Sequence, residues 1–393
     1  MENVDEQSLA LHRRHGGKIG ITGKVEVADG HDLSLAYTPG VAAVCEAIRE
    51  EPRLARELSV TGNSVAVVTD GSAVLGLGDI GPTAAMPVME GKALLFKKLA
   101  GVDAWPICLD ARDPDAIVAA VRAMAPGFSG INLEDISAPR CFEIEDRLQD
   151  LGIPVMHDDQ HGTAIVLLAG LINALRITGK EFSGLRVVIS GAGAAGRAIC
   201  RLLKCVDANS ADCRAVEEIV VCDSKGALHR NRSDLGPVKQ AILEYSNPHD
   251  KEGGLKKMLE GADVFIGVSR GGLLSEEDVR TMAPDPILFA LANPTPEIMP
   301  EAAYAGGASV VATGRSDFPN QVNNVLAFPG IFRGALDARA PRITDAMKLA
   351  AAEAIADSLE SPVPGKILPQ ALDPVVPEKV AAAVRDQFAN REP

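Results

Sequence analysis

Residues 157–163, His-Asp-Asp-Gln-His-Gly-Thr, place two imidazoles and two carboxylates within five positions, directly before a long apolar stretch. That spacing suits a zinc site built on the histidines, a hard-cation site built on the acids, or a polar helix start with acids in its first turn. A second acidic doublet, Glu134–Asp135, closes another apolar run. Carboxylates arriving from two strand ends suit a hard cation better than zinc, which leaves His157 and His161 to brace the strand end and the helix start.

A third cluster is glycine-rich. Residues 191–196, Gly-Ala-Gly-Ala-Ala-Gly, fit GxGxxG between a strand and a helix. Gly191 permits the tight turn, Gly193 lets backbone approach a pyrophosphate, and Gly196 allows close helix–sheet packing; Ala192, Ala194 and Ala195 keep the loop small. Asp223, ending the next strand, stands where an acid would meet the adenosine ribose. Residues 76–81, Gly-Leu-Gly-Asp-Ile-Gly, fit the same pattern. Asp79 would repel a pyrophosphate there, so this loop reads as a structural turn.

These groups need a scaffold with strand ends in one place. From Ser64 the chain alternates β-rich runs (64–70, 104–110, 130–136, 154–159) with helical spacing (87–101, 113–125, 139–152). Repeated βα units imply a parallel sheet with helices on its faces and ligands beyond the carboxyl ends of the strands. Asp70 and Asp110 at such ends read as helix caps. Residues 164–178 form an apolar helix ending at Gly179, and strands near 186–190, 217–223, 263–268, 287–293 and 308–313 follow it. The expected fold is therefore α/β: an N-terminal substrate and metal domain over 1–160, then a Rossmann-type doubly wound dinucleotide-binding domain over 161–393 that ends in helices. The first 36 residues show no sustained period and read as an arm or a flexible start.

The totals exclude several classes. The net charge is −14, with 47% hydrophobic and 23% charged residues. That composition suits a globular protein and argues against nucleic acid or an anionic membrane as a partner. The start, MENVDEQSLA, lacks a signal-peptide pattern, and no run of about 18 uncharged apolar residues is present, so a cytoplasmic protein is expected. Buried free thiols in a reducing compartment explain the seven cysteines better than disulfides.

Taken in order, YTPGVA (37–42), VTDGSAVLGLGDIGP (68–82), MEGKALLFK (89–97), INLEDISAPRCFEIE (131–145), HDDQHGTA (157–164), SGAGAAG (190–196), LANPTPE (291–297) and SDFPNQVNNVLAFPGIF (316–332) resemble the malic enzymes. The likeness runs from about residue 8 to 385 and is closest to the short, single-module bacterial type. It implies oxidative decarboxylation of L-malate to pyruvate and CO2 with NAD or NADP and Mg2+ or Mn2+; the Gly-rich arm suggests a homodimer or higher homo-oligomer. By resemblance Glu134, Asp135 and Asp159 hold the cation, Lys92 is the general base, and Tyr37 protonates the enol. The residues around Lys92 suit that role: Val88, Leu95 and Phe96 at i−4, i+3 and i+4 make an apolar face on which its pKa would fall, with Asp158 as its partner. Asn293 and Asn324 correspond to the family's substrate- or cofactor-contacting asparagines, whereas Asn323 caps a helix or joins them. One departure stands out: where larger eukaryotic forms carry an arginine that clamps malate, this chain has Ala73. Asp223 tilts the cofactor towards NAD, while Ser224 and Lys225 leave NADP open. A lyase that uses bound NAD without net redox, making lactate or decarboxylating oxaloacetate, shares the same residues and is the alternative.

Overall fold

A computed structural model describes residues 3–206 and 215–389. Among these residues ten strands form two sheets: β1 (Ser64–Thr69), β2 (Asp103–Cys108), β3 (Gly130–Leu133) and β4 (Val155–His157) in the first, and β5 (Arg186–Ser190), β6 (Glu218–Asp223), β7 (Gly226–Ala227), β8 (Val264–Gly267), β9 (Ile287–Ala290) and β10 (Val310–Thr313) in the second. The first is parallel with order β2-β1-β3-β4. Chain order reverses beside β1, so the ends of β1 and β3 flank a crevice suited to ligands. The second runs β10-β9-β8-β5-β6-β7, a doubly wound order in which the two-residue β7 is antiparallel to β6.

Two helices tie strand ends to the crevice. Gly81–Ala100 starts with Gly81 at φ 77° and Pro82 in its first turn, and stops at Gly101 in the left-handed region. It buries Ala85, Met89, Lys92, Ala93 and Phe96, the i, i+4 ladder of an inward face. The second helix spans Asp158–Thr178, beginning six residues before the apolar 164–178 stretch expected to form it, so Asp158 and Asp159 occupy its first turn. Acids are favoured there by the amide dipoles, which is why the polar stretch continues the helix. Residues 164–171 are buried on every side. This helix is long and apolar enough to cross a membrane, but 67% of its apolar window is buried inside the protein, as a core helix requires.

One core joins the two sheets. Val65, Met89 and Phe96 share a continuous apolar cluster with Val187, Ile189 and Phe289. The Phe328–Asp337 helix closes it from the C-terminal side, the Phe96 ring lying 4.7 Å from Phe328 and 5.4 Å from Phe332.

Several expectations change. The N-terminal arm is not without period: Val4–His15 and Gly30–Ala36 are helices, the second capped by Asp29. Asp70 is no helix cap; it is a buried loop anchor accepting from Arg140 Nη2 at 2.5 Å and from the Ser72 backbone at 3.0 Å. Among the cysteines, Cys141, Cys200 and Cys222 are buried free thiols. Cys45 is exposed, and Cys205, at positive φ just beyond a helix end rather than in an apolar run, is disulfide-bonded. Cys213 lies outside the described residues.

Candidate functional site

The carboxyl ends of β3 and β4 and the buried face of the Gly81–Ala100 helix meet at Lys92. Its Nζ donates to Glu134 Oε1 at 2.7 Å and to Asp158 Oδ2, and lies 4.1 Å from the centre of the Phe328 ring. Asn324 Nδ2 donates to the same Asp158 oxygen at 2.5 Å, and Asn132 Nδ2 to Glu134 Oε2 at 2.9 Å. Lys92, Glu134 and Asp158 are all buried. An ammonium so placed is stable only because two carboxylates surround it.

Beside it, Glu134, Asp135 and Asp159 bring carboxylate oxygens within 4.8 Å of one another. Asp135 reaches this position at φ 52°, and its backbone N–H donates to Asp159 Oδ2 at 2.8 Å. Burial pushes Asp135 up to about 9, helped by the charges of Asp159 and Glu134. Asp159 is pushed up to about 6 by burial, against the pull of Lys92. Three acids raised by burial and mutual repulsion are a donor set that a divalent cation would relieve, and all-oxygen ligands select Mg2+ or Mn2+ over zinc. Neither histidine joins them. The His157 backbone donates to Glu145 Oε1 at 2.8 Å and the His161 ring meets Glu145 Oε2 at 3.1 Å, so one buried glutamate braces both the strand end and the helix start. Burial lowers the pKa of both imidazoles.

The protonation of Lys92 differs from the expectation. Burial pulls its pKa down, but Asp158, Glu134 and Asp159 outweigh burial, and the net shift is upward. The apolar helix neighbours count for less than the acids contributed by β3 and by the helix after β4. Asp158 is pushed up to about 6, chiefly by burial.

A cavity of about 560 Å³ contains Lys92, Glu134, Asp135 and Asp159, and shares Asp159, Asn323 and Asn324 with one of about 900 Å³ that reaches Ala194, Ala195 and Asn293. Among the described residues no arginine or lysine lines the larger one, so around Ala73 polar recognition falls to uncharged groups such as Ser72, Asn293, Gln321 and Asn324. Asn323 accepts from the Val325 backbone at 3.0 Å, capping a short helical turn while lining both spaces. A third cavity, about 880 Å³, touches Gly191, Ala192, Gly193 and Asp223 and adjoins the second at Ser269. Gly191 sits at φ 128°, nothing lies within 4 Å of where a Gly193 side chain would begin, and a side chain at Gly196 would overlap the Gly191 carbonyl. Asp223 is held by both Arg232 amines at 2.9 Å and by Lys239 at 2.6 Å. Burial raises its pKa, but these bonds outweigh it and bring it to about 2. The 76–81 loop is a turn whose Asp79 pairs with Arg112 at the surface.

Tyr37 does not line these cavities; it is 67% exposed where the Gly30–Ala36 helix stops. Sequence reasoning missed Asn132, Glu145, Phe328 and the buried Glu297, whose oxygens accept from the Ser269 and Ala292 backbones at 3.0 Å and so hold the ends of β8 and β9. Glu145 had a signal: with Cys141, Ile144 and Leu148 it lies on one buried helix face.

The N-terminal domain of malic enzymes matches residues 17–149, and their NAD-binding domain residues 160–388. The chain is 55% identical to a bifunctional malic/malolactic enzyme of Bacillus subtilis, covering 97% of this chain and 92% of that one. It is 54% identical to an NAD-dependent malic enzyme of Geobacillus stearothermophilus, covering 97% and 78%. The crystal structure of an NAD-dependent malic enzyme from Thermotoga maritima superposes with a TM-score of 0.92 at 49% identity, covering 96% and 98%. Matched by both malic enzyme domains and nearly end to end by relatives of about half identity, the chain belongs to the malic enzyme family.

Proposed function

We propose that the chain oxidatively decarboxylates L-malate to pyruvate and CO2 while reducing NAD(P)+. The observation that carries this is Lys92, bracketed by Glu134 and Asp158 at the meeting point of an acid triad and a cleft leading to the glycine loop. Mg2+ or Mn2+ held by Glu134, Asp135 and Asp159 would act as the Lewis acid for decarboxylation. Lys92 would take the proton of the malate hydroxyl, and a nicotinamide bound in the cleft would supply the hydride acceptor. Asp158, in direct contact with Lys92, orients its Nζ, and a cation taken up by Glu134, Asp135 and Asp159 would offset the acids that hold Lys92 protonated and so favour its neutral, accepting form. Asn324 fixes Asp158, while Asn293 and Asn323 offer amides to malate's carboxylates or the nicotinamide ribose.

Tyr37 then protonates the enol carbon, delivered by the arm of its own or a neighbouring subunit. Leu33 and Leu35, on the helix that Tyr37 caps, are more than half exposed, which supports a homodimer or higher homo-oligomer. The enzyme works in the cytoplasm on small acids, with no nucleic-acid or membrane partner. NAD remains the slightly favoured cofactor, although Lys225 and Lys239 beside Asp223 could also receive a 2′-phosphate.

The test is malate-dependent appearance of reduced nicotinamide with Mn2+. EDTA should abolish it, and Lys92→Ala should cost on the order of 10³-fold. No turnover with either cofactor would sink the reading. Lactate without net cofactor reduction would instead establish the lyase alternative, which the bifunctional Bacillus relative keeps in view.

A further inference from the structure

Far from the cleft, a cavity of about 540 Å³ opens between the helical turns at 52–58, the end of the Pro114–Met124 helix and the loops entering β3 and β4. Its wall carries four guanidinium groups, Arg53, Arg56, Arg122 and Arg339, and no carboxylate; Phe128 and Ile153 supply apolar surface. Three of these arginines are matched to acids outside the lining: Arg53 to Glu51, Arg122 to Asp150 at 2.6 Å and Arg339 to Glu57 at 2.9 Å. Arg56 has no ion pair or side-chain hydrogen bond among the described residues. Burial depresses its pKa, and the nearby Arg339 charge depresses it further. In a chain with 53 acids and 39 Lys and Arg, a half-buried guanidinium that faces another guanidinium instead of an acid is waiting for an anion from outside.

We propose that this cavity binds an organic di- or triphosphate, its phosphates gripped by Arg56 and Arg339 and its organic part laid on Phe128 and Ile153. Guanidinium forks suit phosphate oxygens, and the volume lies within the ordinary range for sites that enclose metabolites of this size. A dicarboxylate would leave most of the apolar wall uncovered.

The position of the cavity gives binding a consequence. Phe128 precedes β3, which ends at Glu134; Ile153 precedes β4, which ends at Asp158; Arg339 follows the Phe328–Asp337 helix, whose first ring underlies Lys92. Each wall thus continues into a rod of roughly 15–20 Å whose far end is a residue of the candidate active site. Occupancy therefore changes the KM for malate, a part of the inference that rests on the proposed activity.

Calorimetry tests the binding independently of turnover. The full chain, metal-free and saturated with NAD to fill the nucleotide cleft, is titrated with ADP, inorganic pyrophosphate or succinate. ADP and pyrophosphate should bind, Arg56→Ala should weaken both by about ten-fold, and the Arg56→Ala/Arg339→Ala pair should lose binding. Arg280→Ala, at a remote surface pair, should leave it intact. Absence of heat at millimolar ligand, or affinity unchanged by Arg56→Ala, would overturn the site; succinate binding in place of the phosphates would overturn the ligand class. Steady-state assays in excess Mg2+ then read the coupling. ADP should shift the malate KM of wild type but not of Arg56→Ala, whose KM without ADP stays unchanged; no shift in wild type overturns the link to the acid cluster.

Discussion

Gly162→Ala separates helix propensity from site geometry. In an ordinary helix the change stabilises by about 1 kcal/mol. Here the new methyl would stand 2.9 Å from Asp158 Cγ and 3.0 Å from Asn324 Cβ, and closer still to Asp158 Oδ1. Comfortable carbon contacts begin near 3.5 Å. Asp158 cannot swing aside cheaply, because it is fully buried and bound by Lys92 and Asn324. Displacing it leaves Lys92 with one acid, and breaking a buried pair costs about 3–5 kcal/mol. The balance is a loss of about 2–4 kcal/mol in denaturant unfolding, together with a drop of about 10²-fold in kcat/KM from moving the Lys92 partner by roughly an ångström. Gly91→Ala is the contrast on the neighbouring helix: its methyl meets only Lys18 Nζ at 3.8 Å, so it should gain stability. If Gly162→Ala unfolds no earlier than wild type and keeps wild-type kcat/KM, Asp158 is not locked and the account of Lys92 fails.

Other consequences are simpler to state. Mn2+ should raise the melting temperature in a concentration-dependent way, and Asp135→Asn should remove most of that shift, as calorimetric scans would reveal. Glu145 is burdened by burial, yet its bond to His161 brings its carboxyl from 4.5 down to about 2. Since the folded pKa lies below the unfolded one, its stabilising contribution is present above pH 4.5 and fades towards pH 2. Glu145→Gln should therefore be less stable at neutral pH and show a flatter acid dependence in denaturant titrations. Asp223→Ser frees Arg232 and Lys239 for a 2′-phosphate, and should raise the NADP-to-NAD ratio of kcat/KM by about ten-fold.

The strands and the acids at their ends were legible because each βα unit announces itself locally: an apolar run, an acid, then helical spacing. The protonation of Lys92 was not. Its helix neighbours are visible in sequence, but the outcome depends on acids 42 and 66 residues away. The start of the 158–178 helix was placed late because residues 157–159 read equally well as a strand end and as a polar first turn. Glu145 could have been found from its place on an apolar face, whereas Asn132, alternating within a buried strand, gave no such sign. The arginine cavity was invisible because its walls are drawn from segments nearly three hundred residues apart, and only the closed core brings them together.

The 21-residue helix that opens with Asp158 and Asp159 and then runs through the core limits how the enzyme can move. Its buried stretch, residues 164–171, is packed on every side, so bending within that stretch would break the core. One rigid element thus links the acids at its first turn to the core beneath the second sheet. A substitution that disrupts this buried stretch should therefore lower both stability and turnover, because it disturbs the core and the acids at once.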